Sequence, residues 1–291
     1  MTHERPTASL REYVAGATAL LAEAGVPSPG HDARALAAHA LGRDRLEYLV
    51  GVDLPDTFAA AFAELVERRR RREPLQHLLG RTTFRHLDLL VRPGVFVPRP
   101  ETEVVAQHAI DAAREVARAG RAPVVVDLCC GAGGIALALA TEVERVRVLA
   151  VDASPEAVAL TRANAERVGA DLEVLVGDVR DVELLAALDG AVDVLVANPP
   201  YIPPDAVPVD PEVRDHDPQL ALYGGGADGL EVPRAVVRGA VRLLRPAGVF
   251  VMEHAEVQAA AARQAALAAG LREVTSFDDL TGRPRGVRAV R

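Results

Sequence analysis

From residue 121 onward, short apolar runs alternate with segments of helical periodicity, and this pattern constrains the fold more than any other feature. Such alternation is typical of parallel strands joined by crossover helices, and it predicts a doubly wound parallel α/β sheet. The predicted strands are Val124–Leu128, Val148–Asp152, Leu172–Val176, Val192–Ala197 and Val249–Glu253. Because such sheets bind ligands at the carboxyl ends of their strands, we expect the functional site there.

The chain before the sheet has helical periodicity from Leu10 to about Arg72. Ser9 and Glu12 have the spacing of a capping box, and Ser28 before Pro29 is a second helix start. This segment predicts a small bundle of about four helices.

An alternating apolar run at Arg81–Val91 then predicts a β-hairpin, and two prolines around Arg99 predict an extended segment before a helix that begins near Glu101. We therefore divide the chain into a helical bundle at residues 1–78, a β-hairpin linker at 79–98 and an α/β domain at 99–291.

Five consecutive arginines, Arg68–Arg72, end the last helix of the predicted bundle. We interpret them as a solvated helix end whose charge compensates the helix dipole. The alternative is a patch for an RNA-bearing partner such as the ribosome. The net charge of −8 argues against a protein whose main task is to bind a phosphate backbone.

Composition excludes several kinds of chemistry. The sequence contains no lysine, which removes Schiff-base and P-loop lysine mechanisms. Its two cysteines, Cys129 and Cys130, are adjacent, a spacing unsuited to a metal site or a loop-closing disulfide. We therefore expect no metal and a reduced, cytoplasmic setting. No apolar run has membrane-spanning length, so we also expect no membrane association.

The first strand of the sheet leads into a glycine-rich loop. Gly131, Gly133 and Ala136 match the dinucleotide pattern, and the acid Asp152 follows about 20 residues later at the end of the second strand. This arrangement suits NAD and S-adenosylmethionine equally. Asp127 favours the second cofactor, because a carboxylate repels a pyrophosphate but attracts the ammonium of a methionine moiety.

In this interpretation the glycines let the backbone approach the methionine moiety, and Asp152 accepts hydrogen bonds from the two ribose hydroxyls. Asp178, after the third strand, is expected near the adenine amino group, with Val179 packed on the ring. For each acid a helix N-cap is the alternative role, and Asp178 keeps that alternative open.

The fourth strand stops at Asn198, Pro199, Pro200 and Tyr201. The prolines prevent helix or ladder formation, so the carbonyls of Asn198 and Pro199 are free to accept hydrogen bonds. An amide, free carbonyls and an aromatic ring together suit a planar NH₂ group. The alternative is an ordinary Pro-Pro turn that ends a strand.

These segments, taken in order, resemble the HemK/PrmC family, the peptide chain release factor N5-glutamine methyltransferases. The resemblance covers nearly the whole chain. It is carried by Pro98–Glu103, Asp127 with its glycine loop, Asp152, Asn198–Ile202, Pro211–Arg214, Ala221–Gly225 and Asp228–Leu230. Asn-Pro-Pro-Tyr alone is shared with DNA and RNA amino-group methyltransferases, whereas its combination with the Arg99 segment and a helical front domain is specific.

The resemblance implies an α/β class I S-adenosylmethionine-dependent methyltransferase fold, with an N-terminal bundle that recognises release factors. The implied reaction methylates the glutamine amide of their Gly-Gly-Gln motif and leaves S-adenosylhomocysteine. The implied partners are class I release factors, with no sequence-specific nucleic-acid binding. The expected catalytic residues are Asn198, Pro199 and Tyr201; the expected substrate contacts are these with Pro200, Arg99 and Pro100. The expected cofactor contacts are Asp127, Cys129, Cys130, Gly131, Ala132, Gly133, Asp152, Asp178, Val179 and Asn198.

The sequence departs from the family at the glycine loop, where Cys129 and Cys130 replace a usual Gly and Thr. The Cβ of Cys129 must therefore be accommodated beside the methionine moiety. At the end of the fifth strand, we interpret His254 as a structural histidine.

Two other functions compete with this one. The first is methylation of an exocyclic amino group of DNA or RNA, which offers the same planar pair of donors. The second is a binding module that kept the fold but lost the cofactor through Cys129.

Overall fold

The computed structural model describes residues 8–48 and 51–291, and these divide into two units. The first comprises the chain up to Gly80 together with Asp210–His216, and the second comprises Arg81–Val209 and Asp217–Arg291. A short stretch that follows the Asn-Pro-Pro-Tyr segment in sequence therefore belongs to the N-terminal bundle.

Helices make up the first unit and flank the sheet of the second. They are α1 (Leu10–Glu23), α2 (Pro29–Ala40), α3 (Phe58–Arg70), α4 (Leu75–Leu79), α5 (Thr102–Arg118), α6 (Gly134–Glu142), α7 (Pro155–Val168), α8 (Pro211–His216), α9 (Gln219–Leu222), α10 (Glu231–Leu243) and α11 (Ala259–Ala268). None of them, over residues 8–48 and 51–291, is long and apolar enough to cross a membrane.

The strands all lie in the second unit. They are β1 (Arg81–Phe84), β2 (Leu87–Leu90), β3 (Val124–Leu128), β4 (Arg147–Asp152), β5 (Glu173–Val176), β6 (Val192–Ala197), β7 (Leu244–Glu253), β8 (Arg272–Asp278) and β9 (Pro284–Val290). β1 and β2 form an antiparallel hairpin, and the other seven form one sheet.

The first unit is helical as predicted, but only α1, α2 and α3 lie within the predicted range from Leu10 to about Arg72, and α4 and α8 are additions to it. Helix α1 begins with the predicted capping box of Ser9 and Glu12. Phe58 and Phe62 stack in the core of this unit with ring centroids 5.3 Å apart. The arginine run ends α3 and not the last helix, because the short helix α4 follows it. The placement of the run in the last helix was therefore wrong.

Only part of the arginine run is a solvated helix end: Arg68, Arg70 and Arg71 are exposed, whereas Arg69 is only 4% exposed. Its Nε donates to Oδ2 of Asp32 at 2.8 Å, and its Nη1 lies 2.8 Å from Oε1 of Glu212. Arg72 donates to the same Glu212 oxygen at 2.8 Å. Both acids are distant in sequence, so helix-dipole reasoning could not identify them. The other three arginines pair with Glu67 or Glu73.

The large sheet has the order β5-β4-β3-β6-β7-β9-β8. All five predicted strands are present and parallel, but β8 and β9 are antiparallel additions that the sequence analysis missed. The sheet is therefore mixed: the predicted doubly wound parallel part is confirmed, and β9 and β8 extend it on one side as antiparallel strands. β8 is an edge strand with mostly exposed residues, such as Glu273 and Ser276, and it has no apolar run to indicate it.

The two faces of the sheet carry separate apolar clusters. Side chains of α5, α6 and α7 pack on one face, and side chains of α10 and α11 pack on the other. The strand order reverses between β3 and β6, where Leu128 lies beside Ala197. This is the switch point at which doubly wound sheets bind their ligands.

Candidate active site

The glycine loop after β3 begins beside a buried carboxylate. Asp127 has no exposed surface, and its Oδ2 accepts from the backbone N–H of Ala136 at 3.0 Å. Its Oδ1 accepts no hydrogen bond from any residue of the described chain. Burial, together with the nearby charge of Asp152, raises the pKa of Asp127 well above its usual value. A cation bound at the loop would relieve this electrostatic cost.

The residues around the loop therefore fit S-adenosylmethionine better than a dinucleotide. Asp127 supplies an unused buried acceptor, and Asp152 adds a second carboxylate at the next strand end. The Asp127 carboxylate favours the ammonium group of the methionine moiety and disfavours a pyrophosphate, whereas Asp152 suits the ribose of either cofactor.

The close packing of the loop requires glycine at one position. Gly133 has φ of +89°, and a Cβ there would lie 2.9 Å from Cγ2 of Thr161. The Thr161 hydroxyl in turn donates to the carbonyl of Gly131 at 2.9 Å. The backbone of Gly133 therefore packs directly against α7.

Cys129 has φ of +62°, a left-handed conformation that L residues with a Cβ rarely adopt. Glycine adopts it without cost, which gives a physical reason for the Gly that the family usually has here. Burial raises the pKa of the thiols of both Cys129 and Cys130, so neither is an activated nucleophile.

Cys129→Gly should bind S-adenosylmethionine as well as the wild type or better. The left-handed strain of roughly 1–2 kcal/mol disappears, and the extra entropy of unfolded glycine offsets roughly 0.5–1 kcal/mol of that gain. The free energy of unfolding should therefore rise by no more than about 1.5 kcal/mol. Calorimetric titration and denaturant unfolding measure the two quantities. A large loss of affinity would show that the thiol makes a useful contact.

Asp152 ends β4 and holds the glycine loop to the next strand end. Its Oδ2 accepts from the N–H of Gly131, and its Oδ1 accepts from the N–H of Ser154, both at 2.9 Å. Ser154 is the N-cap of α7, so Asp152 does not have that role. Each of its oxygens retains a lone pair for a further donor such as a ribose hydroxyl.

Asp152→Ala should weaken binding of S-adenosylmethionine by about 1.5–3 kcal/mol, the range for hydrogen bonds to a charged group. Asp171→Ala, which removes an exposed carboxylate from the loop before β5, is the matched control and should leave the dissociation constant unchanged. Isothermal titration measures both variants. An unchanged dissociation constant in folded Asp152→Ala would remove this residue from the cofactor site.

Asp178 follows β5 and is held by its neighbour Arg180. The guanidinium Nη2 lies 2.6 Å from Oδ2 of Asp178, and this pairing lowers the pKa of the carboxyl. The backbone N–H of Arg180 binds Oδ1, which makes a local turn without an α-helix after it. The N-cap alternative therefore does not apply to Asp178. The contacts of Asp178 and of half-buried Val179 with adenine stay predictions.

Asn198 comes directly after β6 at the switch point. Its Nδ2 donates to Oγ1 of Thr102 at 3.3 Å, and Thr102 donates to Oε2 of Glu253 at 2.7 Å. The hydroxyl of Tyr201 lies 3.5 Å from the other oxygen of Glu253. Two residues of the Asn-Pro-Pro-Tyr segment are thus joined through one buried carboxyl group.

Three oxygen atoms of this segment accept no hydrogen bond from the described residues. The carbonyls of Asn198 and Pro199 accept no hydrogen bond from any residue in 8–48 or 51–291, and neither does Oδ1 of Asn198. This agrees with the prediction that the prolines leave these carbonyls free. It places unused amide and carbonyl oxygens next to each other after β6.

The segment after α9 holds the loop of Tyr201 in place. The carbonyl of Leu222 accepts from the backbone N–H groups of Tyr201 and Ile202 at 3.2 and 2.8 Å. The side chain of Gln258 donates to the carbonyl of Tyr201 at 2.8 Å. The backbone of the loop is therefore fixed from two directions.

Arg99, an expected substrate contact, is already engaged within the second unit. Its Nη2 lies 2.7 Å from Oδ2 of Asp217, and its guanidinium lies 5.1 Å from the ring centroid of Phe96. Its neighbour Pro100 is exposed. Substrate contact by either residue stays a prediction.

Thr102 and Glu253 are not among the site residues predicted from the sequence. Both are buried, at 5% and 2% exposure. Burial raises the pKa of Glu253 to about 7, and burial beside this carboxyl raises the pKa of Tyr201 above its usual value. The available signal was an acid at the carboxyl end of a buried strand, the same rule that identified Asp127 and Asp152.

His254, which follows Glu253, is 1% exposed, and its Nδ1 donates to the carbonyl of Ala255 at 2.9 Å. Burial lowers its pKa. The Nδ1 contact agrees with a structural role, but the buried Nε2 has no hydrogen-bond partner among the described residues, so His254 is not a fully satisfied histidine. Over the residues that the structure describes, no group of His, Cys, Asp or Glu is arranged to hold a metal ion.

Two known domain families match parts of this chain. Residues 12–80 match the PrmC N-terminal domain, and residues 100–209 match the methyltransferase small domain. The release factor glutamine methyltransferase of Mycolicibacterium smegmatis is 49% identical over 97% of this chain and 98% of its own length. That of Streptomyces coelicolor is 52% identical over 84% of both chains.

A solved methyltransferase structure from Pyrococcus furiosus covers 72% of this chain and 90% of its own, with a TM-score of 0.51 and 16% identity. This similarity shows the fold alone. The identity and coverage of the bacterial relatives go further, and together with the two domain matches they show that the chain belongs to the release factor glutamine methyltransferase family.

Proposed function

We propose that this chain methylates the side-chain amide nitrogen, N5, of the glutamine in the Gly-Gly-Gln motif of class I peptide chain release factors. The observation that carries the proposal is the pair of unused acceptors, Oδ1 of Asn198 and the carbonyl of Pro199. A primary amide presents two N–H donors in one plane, which matches two acceptors on adjacent residues. The reaction would support translation termination.

A glutamine amide is a poor nucleophile because its nitrogen lone pair is delocalised into the carbonyl. Asn198 and Pro199 would each accept one N–H, which orients the nitrogen and stabilises positive charge as it develops there. Tyr201 would stack on the planar amide. The proton leaves to water after transfer, so orientation contributes more to the rate than a strong base does.

S-Adenosylmethionine supplies the electrophilic methyl group, and S-adenosylhomocysteine remains as the product. In this proposal Asp127 binds the ammonium group, the loop from Cys129 to Gly133 packs on the methionine moiety, and Asp152 binds the ribose. Asp178 and Val179 border the adenine, and Asn198 contacts both ligands.

We assign recognition of the release factor to the helical bundle at residues 1–78, with residues 79–98 as a linker and 99–291 as the methyl-transfer domain. The match of residues 12–80 to the PrmC N-terminal domain supports this division. Because release factors act on ribosomes, the proposed reaction takes place in the cytoplasm.

Methylation of an exocyclic amino group of DNA or RNA is the second candidate, and the same acceptors favour it. Charge argues against it, since the chain carries a net charge of −8 and all five residues of its arginine run pair with acids. A protein that binds a nucleic-acid backbone usually exposes unpaired basic residues.

Parallel assays with S-adenosylmethionine radiolabelled in its methyl group separate the candidates. The acceptors are a class I release factor, the same factor with the motif glutamine replaced, and DNA and RNA oligonucleotides. We expect label only in the intact release factor. Label in an oligonucleotide alone would contradict the proposal. Absence of cofactor binding in calorimetry would instead identify a binding module.

A further inference from the structure

We infer that Thr102 and Glu253 are positioning residues that fix which way the side-chain amide of Asn198 faces. The inference rests on the proposed function, because it concerns how Asn198 presents its oxygen to an acceptor amide. The Asn-Pro-Pro-Tyr motif contains neither of these residues.

The three side chains meet where two neighbouring parallel strands and one helix converge. Asn198 directly follows β6, and Glu253 is the last residue of β7, whose Met252 lies beside Ala197. Thr102 is the first residue of α5. Each of the three residues therefore lies at or directly beside the end of a regular strand or helix, which fixes its position.

The number of available protons sets the direction of each hydrogen bond. A carboxylate accepts hydrogen bonds but cannot donate them, so the hydroxyl of Thr102 must direct its single proton to Glu253. Thr102 then has only lone pairs left for Asn198, which must present its NH₂ group to Thr102. The Asn198 oxygen therefore faces the opposite side, where it is unused.

This direction matters because the two ends of an Asn amide are nearly identical in shape. If the amide rotated by half a turn, Asn198 would present donors to the donors of an acceptor amide. One of the two orienting hydrogen bonds would be lost and replaced by a repulsive contact.

The charge of Glu253 controls the arrangement. Four other groups act on this carboxyl: the Thr102 hydroxyl and Glu101 at the start of α5, Tyr201 after β6, and Arg285 on β9. Burial is the largest influence, and it raises the pKa of Glu253 to about 7. A protonated Glu253 is able to donate to Thr102, which frees the hydroxyl proton for the Asn198 oxygen. The orientation of the Asn198 amide is therefore fixed above a pH of about 7 and is no longer fixed below it.

The kinetic test compares Thr102→Val, which has the same shape but no hydroxyl, with Thr102→Ser, which keeps the hydroxyl. Single-turnover methyl transfer to release factor is followed from pH 6 to 8.5 with cofactor saturating. The wild type and Thr102→Ser should gain about threefold to tenfold in rate as the pH rises through about 7, the change expected for one hydrogen bond. Thr102→Val should stay at the lower rate throughout, with an unchanged cofactor dissociation constant.

A wild-type rate and pH profile in Thr102→Val would overturn the inference. Loss of the pH-dependent rise in folded Thr102→Ser would overturn it as well. The second comparison remains decisive even where the valine variant does not fold.

The NMR signals of the Asn198 side-chain NH₂, identified by their loss in Asn198→Ala, provide a test that needs no acceptor. They should shift as Glu253 titrates in the wild type and in Thr102→Ser. Signals that do not move with pH would overturn the inference whatever the activity. Signals that titrate in a wild type that fails to methylate release factor would support the positioning role and contradict the proposed function.

Discussion

Asn198→Ala should lower the single-turnover rate on release factor by about 10² to 10³, equivalent to about 2.7–4 kcal/mol, the usual effect of removing one preorganised contact. The cofactor dissociation constant should change far less, since Asp127, Gly131 and Asp152 remain in place. Rapid-quench kinetics with saturating cofactor and calorimetric titration measure the two effects. Equal rates for the wild type and the variant would remove Asn198 from the mechanism.

Asn198→Asp is the sharper comparison, because it keeps an acceptor and loses the NH₂ group. We expect it to retain more activity than Asn198→Ala but less than the wild type. Its carboxylate would face Thr102, whose proton is already donated to Glu253. A second carboxylate next to buried Glu253 would also raise the pKa of that residue further. An aspartate variant no more active than the alanine variant would contradict the hydrogen-bonding role.

Gly229→Ala should destabilise the second unit by roughly 2–5 kcal/mol and lower methyl transfer. The residue has φ of +73°, and a Cβ there would lie 2.3 Å from the carbonyl oxygen of Tyr201 and 2.7 Å from the nitrogen of Pro203. Left-handed strain contributes roughly 1–2 kcal/mol and overpacking roughly 1–3 kcal/mol. Because the clash involves backbone, the loop of Tyr201 must move.

Gly169→Ala is the matched control for this variant. Gly169 has a similar φ of +68°, but a Cβ there meets no atom within 4 Å. It should therefore lose only the strain contribution, roughly 1–2 kcal/mol, and keep full activity. Urea unfolding and single-turnover rates distinguish the two glycines. Equal destabilisation by both substitutions would show that the contact with Tyr201 has no cost.

Local sequence patterns were sufficient to predict the elements that form the site. The apolar runs at Val124–Leu128 and Val192–Ala197 gave both strand bounds correctly, because buried parallel strands need such runs on both faces. The approach of the glycine loop to Asn198 followed from the same rule, since the ends of these strands meet at the switch point.

Pairings between distant parts of the chain could not be predicted in this way. Arg69 forms ion pairs with acids from α2 and α8. Strand β8 pairs with β9 through its backbone, although its sequence has no apolar run. The link from Asn198 through Thr102 to Glu253 joins three separate elements. Each of these pairings joins residues that meet only in the folded chain, so the local periodicity of the sequence does not predict them.

Mass spectrometry of a class I release factor, after incubation with this protein and S-adenosylmethionine, tests the central claim most directly. The peptide that contains the Gly-Gly-Gln motif should gain a single methyl group, which fragmentation should assign to the glutamine side chain. The same incubation with Asn198→Ala should give little or none in the same time. An unmodified motif peptide, with cofactor binding demonstrated in the same sample, or a methyl group on another residue would contradict the claim.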